Sequence, residues 1–256
     1  MSHAFKSIRV QETAEVLRVT LDRPPLNVLN IAMMEEIHAA IERGRGLPHL
    51  RALVFDAAGK AFSAGVEVGE HMGALMPKML EAFHRIFHLL GEVDRPTIAV
   101  VQGAALGGGC ELAAFCDLVL ASEQAKFGQP EIKVGVFPPV AAVVFPRLMG
   151  WHKAMELLLT GDSVDAATAL HLGLVNRVVP ADQLEAALQS LLAALREKSG
   201  IVLGMTKRAL LAGAPDFAPS LHRVEELYGV RLMRTRDATE GLQAFLDKRK
   251  PVWEDR

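Results

Sequence analysis

Thr97-Ile98-Ala99-Val100-Val101-Gln102-Gly103-Ala104-Ala105-Leu106-Gly107-Gly108-Gly109-Cys110-Glu111 carries the fold in three consecutive pieces. Residues 97–101 are β-branched and apolar, which predicts a strand buried on both faces. A run of glycines and other small residues follows directly, and a helix is expected from about Gly108 to Phe115. A glycine run in that position can present bare backbone N–H groups to a ligand at a helix N-terminus. Outward from this stretch, Val16-Leu17-Arg18-Val19-Thr20-Leu21 alternates as a strand and stops at Asp22-Arg23-Pro24-Pro25. Leu53-Val54-Phe55-Asp56 and Leu118-Val119-Leu120 read as further buried strands. Apolar spacing predicts helices over 33–41 and 77–90. Strand–helix–strand alternation makes this an α/β chain with a mostly parallel sheet and helices packed outside it.

After about residue 139 the pattern is mainly helical. Helices are expected over 151–159 and 164–170, and residues 175–179 read as a brief extended stretch. Asp182, with Glu185 three residues on, suggests a capping box opening a long helix. Residues 200–250 look helical and carry several arginines, as a helical appendage or an oligomerisation surface would. The expected division is a core over 1–199 and a C-terminal helical region over 200–256.

The chain has 256 residues, half of them hydrophobic, enough for one large core. Its formal net charge of −2 and the lack of a block of like charge favour neither nucleic acid nor an anionic membrane surface. Cys110 and Cys116 are the only cysteines, too poor a pattern for a disulfide framework or a zinc site. Met1-Ser2-His3-Ala4-Phe5-Lys6-Ser7 lacks the apolar core of a signal peptide, and no apolar run reaches transmembrane length. The expectation is a soluble cytoplasmic protein.

Glu111 and Glu131 are the candidate chemistry. Each sits in an apolar or glycine-rich stretch, where an unpaired charge is costly. Two such carboxylates beside bare amides could bind an oxyanion and move protons. Spacing alone leaves open two surface or ion-paired glutamates flanking a structural turn. A dinucleotide fingerprint is disfavoured because Leu112 occupies its third glycine position, and a phosphate loop because no Gly-Lys-Ser or Gly-Lys-Thr follows. Ala61-Phe62-Ser63-Ala64-Gly65 is a second loop of mostly small residues where backbone could approach a ligand. Glu67 and His71, four apart, lack a third metal ligand and read as a solvated helix face. His84 and His88 read as packing or surface, and Lys248 as a terminal charge.

Several motifs together resemble the enoyl-CoA hydratase/isomerase (crotonase) family: 61–67, 103–112, Phe127-Gly128-Gln129-Pro130-Glu131-Ile132, 154–161 and 173–179. The resemblance spans about 8 to 250. It implies a crotonase-like spiral of ββα units followed by a C-terminal helical trimerisation region, assembled as a homotrimer or a homohexamer built from trimers. It implies an acyl-CoA thioester substrate, with coenzyme A part of that substrate and no metal or redox cofactor. By position the thioester oxygen would meet the N–H groups of Val66 and Gly108. Glu111 would activate a water and Glu131 would deliver or remove the Cα proton, and the raised pKa expected of a carboxylate near another in an apolar cleft would help one of them act as an acid near neutrality. The presence of both carboxylates favours hydration over Δ3,Δ2-enoyl-CoA isomerisation. The near-neutral charge gives a non-catalytic or RNA-binding member no support. Contacts to substrate or CoA are implied for Leu26, Asn27, Ala64, Gly65, Phe245 and Lys248. Glu67 stands where the family has an aspartate. Phe137-Pro138-Pro139-Val140-Ala141-Ala142-Val143 replaces a glycine-rich loop bordering the acyl pocket. That loop and the Pro24-Pro25 segment look like the cyclic dienoyl-CoA hydratases.

Overall fold

The computed structural model describes residues 5–256. Residues 1–4, part of the stretch read for a signal core, lie outside them. β1 (Ile8–Glu12) and β2 (Val16–Leu21) pair antiparallel, and α1 (Ile31–Arg45) follows. The chain then repeats one pattern. β3 (Ala52–Ala57) and β4 (Ala61–Ser63) lead to α2 (Met76–Gly91). β5 (Thr97–Val101) and β6 (Ala104–Leu106) lead to α3 (Gly108–Phe115). β7 (Leu118–Ser122) and β8 (Lys126–Gly128) lead through a 3-10 turn at Pro130–Val134 to α4 (Pro139–Met149). Next come α5 (Trp151–Thr160), β9 (Ser163–Asp165), α6 (Ala166–His171), β10 (Arg177–Val179) and α7 (Leu184–Arg196). The chain ends in α8 (Gly200–Ala212), α9 (Phe217–Glu226), a π-helical turn over Leu227–Arg231, and α10 (Arg236–Leu246).

Each ββα turn gives one strand to each of two sheets. The larger has six strands in the order β1-β2-β3-β5-β7-β10, the smaller four in the order β4-β6-β8-β9. β3, β5 and β7 run parallel, as do β4, β6 and β8. β5 is apolar from Ile98 to Val101 because both faces of the larger sheet are covered there. Ile98 and Val100 meet α7 through Leu188 and Leu192, while Ala99 and Val101 join the main core under α1 and α2.

Several expectations are corrected. The smaller sheet was missed: residues 61–63 and 104–106, read as loop and glycine turn, are strands. They are too short and too rich in small residues to show strand periodicity. The helix expected over 164–170 begins only at Ala166, since Ser163–Asp165 pairs antiparallel with β8. Asp182 does not open a capping box. It lies in a 3-10 turn, α7 starts at Leu184, and Glu185 pairs instead with Arg18. Residues 139–143 are not loop but the first turns of α4, where Pro139 fits because a first-turn N–H has no intrahelical acceptor. Among the described residues no helix is long and apolar enough to cross a membrane.

Candidate active site

α3 follows β6 with one residue between them. That residue, Gly107, adopts φ 52° and ψ −130°, a conformation open essentially to glycine. A methyl group there would sit 2.5 Å from Glu131 Oε1, so the glycine also makes room for the carboxylate. Gly65, at φ 103°, brings the turn after β4 against the same spot: a methyl group on it would lie 3.7 Å from Gly108 N. A single bridge between Leu29 and Val66 fixes this turn, with Leu29 N–H donating to Gly65 O and Glu67 N–H donating to Leu29 O. The N-termini of two chain segments, at Val66 and Gly108, therefore stand side by side at the ends of strands of the smaller sheet.

Glu111 lies in the first turn of α3 and is 3% exposed. Its Oε1 accepts from Ala141 N–H at 2.7 Å, which places the carboxylate at the N-terminus of α4 as well. Burial raises its pKa to about 7, against the opposing pull of the Ala141 and Val140 N–H groups. Glu131, in the 3-10 turn after β8, is raised well above the ordinary value, first by burial and then by the charge of Glu111. One terminal amide atom of the buried Gln129 lies 3.1 Å from Glu131 Oε2 and 3.3 Å from Oε1. The amide nitrogen belongs there when Glu131 is ionised, since two oxygens would repel; the amide oxygen can accept when Glu131 carries a proton. Gln129 was missed in the sequence, where its neighbour Glu131 drew the attention.

Both carboxylates line one cavity of about 360 Å³. Ala64, Gly65, Val66, Gly108 and Phe245 line it too. Its other walls are largely apolar, with Met79, Leu80 and Phe83 from α2 and Phe137, Pro138 and Pro139 from the α4 entry. Three anticipated positions do not line it. Asn27 is 1% exposed and its side chain is committed to backbone: it accepts from Arg23 N–H and donates to Ala58 O and Ala61 O, each at 2.9 Å. Leu26 is exposed, with its carbonyl accepting from Ala64 N–H. Lys248 is exposed beyond α10, at φ 54°. His71 Nδ1 lies 3.0 Å from the Glu67 carbonyl and His71 also lines the cavity, so it is not the solvated face expected, while the Glu67 carboxylate pairs with Arg23. The region after residue 200 is not remote from the site, because Tyr228, Leu242 and Phe245 all line the cavity. The arrangement brings two carboxylates and the backbone turns at Gly65–Val66 and Gly107–Gly108 to one cavity, where protons can be exchanged.

The family model for enoyl-CoA hydratase/isomerase matches residues 11–256. A cyclohexa-1,5-dienecarbonyl-CoA hydratase of Thauera aromatica is 37% identical over 100% of both chains. A probable enoyl-CoA hydratase of Mycobacterium bovis is 39% identical over 98% of this chain and 99% of its own. Among solved structures, an enoyl-CoA hydratase from Mycobacterium avium subsp. paratuberculosis K-10 is similar with a TM-score of 0.89. It is 30% identical and covers 98% of this chain and 100% of that one.

Proposed function

The chain belongs to the enoyl-CoA hydratase/isomerase family, and from that membership we propose that it is a hydro-lyase adding water reversibly across the α,β double bond of an acyl-CoA thioester. The observation that carries the reading is that buried Glu111 and half-buried Glu131 line one cavity beside Gly108. The thioester oxygen accepts from the N–H groups of Val66 and Gly108. Negative charge grows on that oxygen as water adds to Cβ, and one preorganised donor of this kind is worth about 3–4 kcal/mol in the barrier. Glu111 takes a proton from the water as its oxygen bonds to Cβ. The electron pair moves onto the thioester as an enolate, and Glu131 returns a proton to Cα. Dehydration runs the same steps backwards with the roles exchanged.

The raised pKa values support this division of labour. Burial raises both carboxylates and the charge of Glu111 raises Glu131 further, so a proton on Glu131 as acid is favoured whenever Glu111 is ionised as base. A cyclic dienoyl-CoA is the second substrate reading. The full-length similarity to the Thauera aromatica enzyme and the stiff Phe137-Pro138-Pro139 wall favour it. Coenzyme A is part of the substrate, and the reaction needs no redox or metal cofactor. Exposed apolar side chains on α8 support assembly as a homotrimer or homohexamer, and the acyl-CoA substrate supports a cytoplasmic place of work.

The test is turnover of crotonyl-CoA and cyclohexa-1,5-diene-1-carbonyl-CoA, followed by loss of thioester conjugation, in wild type, Glu111→Gln and Glu131→Gln. Each variant is expected to lose at least two orders of magnitude in kcat while still binding a CoA thioester. Near-full activity in either would refute the two-carboxylate mechanism. An isomerase would tolerate loss of Glu111.

A further inference from the structure

One polar group in the cavity wall has no part in the hydration chemistry. His84, on α2 one residue after Phe83, is 2% exposed and lines the same cavity as the two glutamates. Its Nδ1 lies 2.6 Å from Glu225 Oε1 on α9. Its Nε2 is buried and has no partner among the described residues. A buried ring nitrogen left without a hydrogen bond costs of the order of 1–3 kcal/mol. Glu225 is held below the ordinary carboxylate range, first by the His84 hydrogen bond, so it is ionised and accepts. That acceptor fixes the proton of a neutral ring on Nδ1 and leaves Nε2 as a lone-pair acceptor.

A second polar group stands on the same side. Tyr228 is 1% exposed, lines the cavity and packs its ring edge-on to Phe137 with centroids 5.2 Å apart. It lies three residues after Glu225 where α9 runs into the π-helical turn, so the two side chains leave neighbouring positions on one helix face. The Tyr228 phenol and the His84 ring thus line the chamber together, apart from its other polar linings Glu111, Glu131, His71 and Lys133. A phenol both donates and accepts, and so does a substrate hydroxyl, which can therefore pair with the Tyr228 phenol and with Nε2 whichever role that nitrogen takes.

We propose that His84 and Tyr228 form a hydroxyl-binding subsite, with Glu225 as the positioning residue for the His84 ring, so that the enzyme's acyl-CoA substrates carry a hydroxyl on the acyl group away from the reacting carbons. The substrate class rests on the hydratase reading above; the subsite itself rests only on the cavity. A plain alkyl group leaves Nε2 unpaired, whereas a hydroxyl satisfies it, and sites built to bond a substrate hydroxyl discriminate against analogues lacking it.

The experiment compares hexanoyl-CoA with its 4-, 5- and 6-hydroxy derivatives and with 5-oxohexanoyl-CoA by calorimetric titration. The corresponding 2-enoyl thioesters are compared as substrates. At the best hydroxyl position, wild type is expected to bind the hydroxy compound at least tenfold more tightly than hexanoyl-CoA, and to show the same preference in kcat/KM. His84→Phe is expected to abolish that preference, and Tyr228→Phe and Glu225→Gln to reduce it severalfold. A structural role would weaken all ligands together and leave the ratio intact, which would overturn the proposal. So would the absence of preference at every hydroxyl position in wild type, or a preference for the 5-oxo compound. If the enoyl thioesters are not hydrated at all, the hydratase reading fails, and the calorimetric ratios still decide the subsite.

Discussion

A carboxylate that burial lifts to about pH 7 is ionised or neutral according to small changes in solution, and Glu111 is such a group. Hydration needs Glu111 ionised to take the water proton and Glu131 protonated to give one. The rate of hydration is therefore expected to fall as pH drops below about 7, where Glu111 fills, and to fall again at higher pH, where Glu131 empties. A pH profile of kcat/KM on crotonyl-CoA checks this, and a flat profile between pH 5.5 and 8 would sink it. Glu111→Gln removes the charge that helps hold Glu131 up, so residual activity should lose its proton at lower pH than wild type does. Stability follows the same shifts with the opposite consequence. Both folded values are raised, so each contribution is full below the ordinary glutamate value of 4.5, and that of Glu111 is lost as pH rises through about 7. Glu111→Gln is accordingly expected to raise the thermal midpoint at pH 8 and to change it little at pH 4. Active sites that hold charge in an apolar wall commonly trade stability in this way.

Short elements set the geometry around those residues, and glycine conformation is where they are most exposed to change. Gly107 and Gly59 both adopt positive φ, 52° and 80°, but a methyl group on Gly107 strikes Glu131 while one on Gly59 meets nothing within 4 Å. Gly59→Ala should cost backbone strain alone, about 1 kcal/mol, and keep turnover. Gly107→Ala should cost more and also lower kcat at least a hundredfold, because the Glu131 carboxylate must move. Thermal melts and crotonyl-CoA turnover on the two variants separate strain from displacement; equal loss of activity in both would refute the placement. The two glycines also show what the sequence made legible. The β5 strand and α3 stand where β-branched periodicity and the glycine run put them, and the two carboxylates share the cavity their settings suggested. The smaller sheet was not legible, since strands of three residues are too short to carry a periodic signal. The Val164 region misled because its apolar spacing continues into α6, while pairing to β8 claims its first residues. Pro138 and Pro139 read as loop because proline breaks a helix interior, yet a proline at a first turn begins one. The Ala141 N–H that this helix start presents to Glu111 could not be found without that recognition. Asn27 was expected from the resemblance to contact CoA, and its neighbours along the chain do not tell that its amide donates to Ala58 and Ala61.

At the scale of the molecule, apolar side chains of α8 are without a partner among the described residues. α8 buries only Gly204, against Asp94, while Ile201 and Leu210 are 74% and 73% exposed and Val202 and Met205 more than half exposed. Lys207 and Arg208 tie the helix to Asp117 and Asp94, so it is held in place by polar contacts with its apolar side chains outward. Apolar surface of that kind marks a contact between chains. If it is the contact between copies of this chain, the native mass is three or six times the 27.7 kDa of one chain. The double variant Ile201→Asp, Leu210→Asp should then run as a single chain by light scattering, with an unchanged circular dichroism spectrum. A wild type that is already a single chain, or a variant that stays assembled, would refute this. The kinetics of the dissociated variant carry a further consequence. Phe245 lines its own chain's cavity, whereas Lys248, one turn later, does not. A lysine outside its own site can reach a CoA phosphate in a neighbour's. Dissociation should therefore raise KM for crotonyl-CoA about tenfold, the loss of one charge-assisted hydrogen bond of about 1.5 kcal/mol, and leave kcat within a few-fold. Lys248→Ala in the assembled enzyme should raise KM by the same factor and add nothing in the dissociated variant. Additive effects in the two would mean that Lys248 serves the cavity of its own chain.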